Sequence, residues 1–137
     1  MIEYQNSYSK LMAECTEEEL AAAQNYLLSY RLCEEMLGLR GYERKRAAKA
    51  DLPDNAKQIL QASEQHWELQ ISEIKAMING MRNGREKMVL YYHYIRGEST
   101  ASTARLMGIS RRTAFRMQKK GLALVALTLR QTEKGDV

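Results

Sequence analysis

The sequence predicts an all-α protein: a coiled-coil-like helical hairpin at the N-terminal side, followed by a C-terminal helix-turn-helix unit. Three observations predict it. Alanine, leucine, methionine, glutamate, lysine and arginine dominate, with a single proline, Pro53, a composition of helix formers. Apolar residues recur three, four or seven apart over two long stretches, the period of a helix face rather than a strand. Near the C-terminal end, short helical patterns alternate with glycines at positions 97 and 108, where the chain can turn.

Residues 1–15 are polar with scattered Tyr4, Tyr8, Leu11 and Met12, a segment that starts a helix or frays. Thr16-Glu17-Glu18-Glu19 opens the first clear helix. It is a capping box, in which the Thr16 hydroxyl accepts from the amide at position 19 and Glu19 accepts from the amide at 16. The three glutamates also complement the positive end of the helix dipole. Leu20, Ala23, Leu27, Tyr30 and Leu37 form its apolar stripe, and Gly38 is expected to end it. Leu28, Leu32 and Met36 widen that stripe beyond what one helix can bury.

Gly38 to Asn55 reads as a connection. Gly38 and Gly41 interrupt the helix, and Arg40, Arg44, Lys45, Arg46 and Lys49 surround Tyr42. A solvated loop is the preferred reading of that cluster, ahead of a second contact to a nucleic-acid backbone. Asp51-Leu52-Pro53-Asp54 signals a turn, with Asp54 as N-cap of the next helix. That helix spans about 55–80, where Ile59 or Leu60, Trp67, Ile71, Ile74, Ile78 and Met81 keep helical spacing. The simplest packing of two such helices is an antiparallel hairpin, alone or paired with a second copy. Trp67 reads as core or interface, and His66 and His93 as structural histidines. Residues 79–84, Asn-Gly-Met-Arg-Asn-Gly, form a hinge. The expected division is therefore 1–80 as hairpin and interaction segment, 81–130 as the second unit, and 131–137 as a frayed tail.

The second unit divides again. Met88, Val89, Tyr92 and Ile95 mark a helix over 85–96 that Gly97 ends; a second runs from Thr100 to Met107; a third starts at Ser110, a good N-cap residue. Between the last two, Gly108 supplies the positive φ that a short turn between crossing helices needs. Ala104, four residues earlier, allows close helix packing, while Ile109 and Met117 face the core. Gly121 is read as an interruption of the third helix, after which Leu122, Val125, Ala126 and Leu129 pack back on the unit.

Charge separates the two parts. The formal net charge is +4. Residues 1–39 hold two basic against seven acidic side chains, net −5, whereas residues 82–121 hold ten against two, net +8. The C-terminal part is thus built to approach a polyanion, with binding that weakens as salt rises. In such a motif the start of the third helix enters the major groove. Arg111, Arg112, Thr113 and Arg116 are the candidates to touch bases, because arginine's planar fork matches guanine O6 and N7 and threonine can meet a thymine methyl. Ser110, Lys119, Lys120, Arg105 and Thr100 are the candidates to touch phosphates, which position the protein without specifying sequence.

Residues 85–125 resemble the region of housekeeping-type sigma factors that reads the upstream promoter element. They are still more similar to sigma-like helix-turn-helix proteins of phages and prophages in Gram-positive bacteria. The matching positions are Val89-Leu90, Tyr94, Gly97, Ala104, Gly108-Ile109-Ser110, Arg111, Met117, Leu122 and Val125. The chain departs from the sigma pattern at Thr100 and Thr103, where that pattern has apolar residues, at Ala101-Ser102, where it has two acids, and at Ala114, where it has valine. The resemblance implies a transcription regulator whose partner is double-stranded DNA, with RNA polymerase as a second candidate partner, and a homodimer joined through the N-terminal helices. Two alternatives stand beside it: a small terminase-like DNA-packaging adaptor, and a helical protein-interaction module without DNA binding.

Other functions find little support. No pair of carboxylates falls on a pocket-like apolar face, no glycine-rich loop carries phosphate-binding residues, and no metal-ligand spacing occurs. The expectation is a non-enzyme without cofactor or metal. Cys15 and Cys33 lack CxxC spacing; Cys33 reads as a small core residue and Cys15 as lying at a helix entrance, both reduced. With no apolar run of membrane length and no hydrophobic leader, the expected location is the cytoplasm.

Overall fold

The computed structural model describes residues 14–50 and 53–135. Tyr4, Tyr8, Leu11 and Met12, with the expectation for residues 1–13, lie outside that range. Five α-helices and no strand occur among the described residues, so the chain is all-α. They are α1 (Glu17–Ala50), α2 (Asp54–Asn79), α3 (Arg85–Leu90), α4 (Thr100–Met107) and α5 (Arg111–Gly135). A π-helical turn, Tyr91–Ile95, continues α3.

Helix α1 begins as its capping box dictates. The Glu19 amide donates to Thr16 Oγ1 at 3.0 Å, and the Thr16 amide to Glu19 Oε1 at 3.2 Å. It does not stop at Gly38. The backbone stays helical through Gly41 to Ala50, which corrects the expected loop over residues 38–50. A glycine within a helix costs only about 1 kcal/mol. The helix formers Glu43 to Ala50 (ERKRAAKA) outweigh two such costs. Pro53, not Asp54, is the N-cap of α2: its carbonyl accepts from the amides of Ala56 and Lys57 at 3.1 and 3.2 Å. Asp54 instead occupies the first turn, where its charge complements the helix dipole.

Helices α1 and α2 run antiparallel. Ser29 Oγ accepts from Gln70 Nε2 at 3.3 Å, and the Lys75 ammonium stands 5.9 Å over the Tyr30 ring. Tyr26, three residues before Ser29, lies beside Glu73, three residues after Gln70, so positions rising along α1 meet positions falling along α2. Burial and the nearby Glu34 push the Tyr30 phenol up to about 12. Between α2 and α3 the chain turns through the predicted glycine–asparagine segment. Lys87 Nζ fastens that turn by donating to the Asn79 carbonyl at 3.0 Å and to Asn83 Oδ1 at 3.2 Å.

One core joins both halves. Ala23, Leu27 and Tyr30 of α1 meet Ile74 and Ile78 of α2, Leu90 of α3, Tyr94 of the π turn, and Leu122, Ala123, Val125 and Ala126 of α5. Cys15 is buried in the same cluster, its Sγ 3.7 Å from the Ala123 carbonyl, and both cysteines are free thiols. Burial raises the pKa of both. Helix α5 runs unbroken through Gly121 to Gly135. Two expectations are therefore corrected: Gly121 is not an interruption, and residues 131–135 are helical rather than a frayed tail. Gly121 is instead a point of close approach, since a Cβ there would stand 2.9 Å from Leu90 Cγ and Cδ1. Far along α5, Arg130 closes the structure by binding both oxygens of Glu19, with its Nε 2.8 Å from Oε2, and by donating to the Glu14 carbonyl at 3.1 Å. That pairing holds the Glu19 carboxyl below its usual range.

Candidate nucleic-acid interface

The turn between α4 and α5 is built by local chemistry at both ends. Ser99 caps α4, its hydroxyl accepting from the Ser102 amide at 3.0 Å. Gly108 ends α4 with φ +66° and ψ 36°, the left-handed conformation that L side chains resist. The Ile109 amide then donates to the Ala104 carbonyl at 3.0 Å, and the Gly108 amide to the Arg105 carbonyl at 3.2 Å. This is the paired hydrogen-bond pattern of a Schellman C-cap. Two residues later Ser110 starts α5. Its Oγ accepts from the Thr113 amide at 3.1 Å and donates to Thr113 Oγ1 at 2.8 Å. The chain thus leaves one helix and enters the next within three residues, Gly108 to Ser110.

Packing then decides which face of α5 is left open. Ala104 and Ala114 are buried, and the small side chains let α4 and α5 approach. Ile109 and Met117 are half-buried on the inward side. Gln118 points inward as well, its Nε2 donating to the buried Tyr94 hydroxyl at 3.2 Å. What remains outside over the first three turns is Arg111, Arg112, Phe115, Arg116 and Lys119, all exposed. At the α-helical repeat these five occupy an arc of roughly 140°. Thr113 and Lys120 border it, half-buried; Arg105 is exposed on α4, and Thr100 is half-buried at the start of that helix.

Among the described residues no acidic side chain pairs with that arc. Arg111, Arg112, Arg116 and Lys119 make no ion pair and no side-chain hydrogen bond with the described residues. Of the acids at the start of α1, Glu19 is held by Arg130 at the far end of α5. Four cations without an ion pair among the described residues share one helical face and raise the local positive potential, the electrostatic footprint of a polyanion site.

Comparison with protein-family models, with curated proteins and with solved structures finds no match.

Sequence reasoning missed Phe115. It is the chain's only phenylalanine and is 58% exposed. The signal was available: counting four back from Phe115 gives Arg111 and four forward gives Lys119, so spacing alone places it on the polar row. A second feature outside the sequence reading is the brace behind α4. Gly97 has φ +74°, and the Arg31 guanidinium of α1 lies where its Cβ would be. His93 Nδ1–H donates to the Glu98 carbonyl at 2.8 Å beside it. Among the described residues no group of three metal-ligating side chains comes together, and no helix is long and apolar enough to cross a membrane.

Proposed function

We propose that this chain binds double-stranded DNA sequence-specifically, as a transcription regulator of the sigma-like phage or prophage kind. The first turns of α5, residues 110–120, lie in the major groove. The observation that carries the proposal is the unpaired basic arc directly after a left-handed glycine turn. Arg111, Arg112 and Arg116 are placed to reach base edges with Thr113 beside them, and Lys119, Lys120, Arg105, Thr100 and Ser110 to meet phosphates. RNA polymerase is a further partner in this reading. A homodimer forms through α1 and α2, whose surfaces expose Leu28, Leu32, Ile59 and Leu69.

Selection of bound duplexes from a random pool, followed by gel-shift titration, tests the proposal. An enriched motif is expected, and Arg112→Ala or Arg116→Ala should weaken binding to it by about 1–3 kcal/mol. Duplex binding unchanged by Arg111→Ala together with Arg112→Ala would refute the placement of α5. Sedimentation should show a dimer; a ring of many subunits would favour a packaging adaptor instead.

A further inference from the structure

We infer that Phe115 is a specificity-determining residue that packs against the C5-methyl group of a thymine in the bound duplex. The inference rests on the DNA-binding reading above and deepens it.

Phe115 sits in the middle of the cationic arc, with Arg111 and Arg112 one turn before it, Arg116 beside it and Lys119 one turn after. The residues one turn away in either direction, Arg111, Arg112, Gln118 and Lys119, are all polar. A protein-docking surface gathers apolar side chains into a continuous patch. On this face of α5 a single ring stands among cations, and the face therefore suits a ligand that is polyanionic at large and apolar at one spot. Duplex DNA viewed from the major groove has that character. Phosphates supply the charge, and thymine alone among the four bases presents a methyl group there. Leaving the ring 58% exposed forgoes the stabilisation that burial would give. Among the described residues nothing offsets that loss, since the Ala114 side of the helix makes the packing contacts.

The test uses the full-length protein and the duplex enriched by selection. Each thymine of that site is replaced in turn by deoxyuracil, which removes only the methyl group. At one thymine the replacement should weaken binding by roughly fourfold, the equivalent of one buried carbon. With Phe115→Ala that position should become indifferent to the replacement, while Phe115→Leu should keep part of the discrimination. Binding by Phe115→Ala should still fall with salt as steeply as in the parent, because phosphate contacts are untouched. The ring is exposed, so the thermal midpoint of Phe115→Ala should match that of the parent. A site without thymine, or deoxyuracil effects equal in the parent and Phe115→Ala, would overturn the role of Phe115 while leaving the DNA-binding reading intact. Preference of the parent for the single strand, lost in Phe115→Ala, would also overturn it, by assigning the ring to base stacking. Failure to enrich any duplex would overturn both.

Discussion

Replacing Gly121 with alanine probes how the basic helix is seated. In a helix, Gly→Ala ordinarily stabilises by about 0.8–1 kcal/mol. At position 121 the added Cβ would lie 2.9 Å from Leu90 Cγ and Cδ1 and 3.1 Å from Cδ2. Leu90 is fully buried in the shared core and cannot swing away. Forcing one extra methyl into such a core costs about 1–3 kcal/mol. The net expectation is a loss of about 1 kcal/mol, or roughly 3–5 °C in the thermal midpoint of a chain this size. Gly38→Ala is the internal control, because nothing lies within 4 Å of its Cβ position. It should raise stability by about 1 kcal/mol through propensity alone. Denaturant titrations followed by far-UV circular dichroism separate the two.

The double variant sharpens the test. Leu90→Ala alone should cost about 2–5 kcal/mol. In that background the cavity accepts the new methyl, so Gly121→Ala should stabilise rather than destabilise. A coupling of about 1–3 kcal/mol between the two sites is expected. Equal stabilisation by Gly121→Ala and Gly38→Ala, or a coupling near zero, would refute the close approach of α5 to α3. With it would go the account of why the arginines face outward.

Thr103 is 1% exposed and its Oγ1 has no hydrogen-bond partner; Thr103→Val should therefore raise stability by about 1 kcal/mol, read in the same titration. Glu19→Gln should reduce acid sensitivity: the Glu19 carboxyl is held below its usual range by Arg130, so its contribution is present above the unfolded-state pKa and is lost as pH falls through the folded one. Midpoints of parent and variant should converge at the acid end, and parallel pH profiles would sink that reading. Cys15 and Cys33 are buried with raised pKa values, so a thiol reagent at neutral pH should label neither until denaturant unfolds the chain; rapid labelling of either in the native state would contradict their burial.

The parts of the fold legible in the sequence are those set by local chemistry. Thr16 with Glu19, Ser110 with Thr113, and Gly108 each act within a few residues, and each behaves in the structure as its residue type dictates. Apart from Asp54, whose expected N-cap place is taken by Pro53, the misread positions are glycines. Gly38, Gly41 and Gly121 have the sequence context of helix breaks, yet all three lie inside helices. Glycine has one sequence signature but two uses, a conformation and an absence of volume. Only the neighbour in space tells them apart, and at position 121 that neighbour is Leu90, thirty-one residues away along the chain. The Glu19–Arg130 contact was illegible for the same reason: its partners are 111 residues apart.

The continuity of α5 has a consequence for how the proposed site is held. Its first three turns carry the basic arc, and its later turns carry Leu122, Ala123, Val125 and Ala126 into the core shared with α1, α2 and α3. No loop separates the presenting half from the anchoring half. The arginines are therefore fixed by core packing rather than by the small α4 contact alone, where Ala104 and Ala114 contribute little buried area. Arg130, beyond the core segment, ties the same helix to the start of α1. In the proposed duplex-bound dimer, the α1–α2 surface proposed to join two copies would be coupled through one rigid rod to the arginines proposed to touch DNA. Spacing between the two half-sites would then be set by the core of each protomer, not by a flexible linker. Lengthening the 82–84 turn, which lies outside that rod, should leave the preferred spacing unchanged in a selection experiment. A shift in spacing with each inserted residue would show that the halves move independently and that the shared core does not govern recognition.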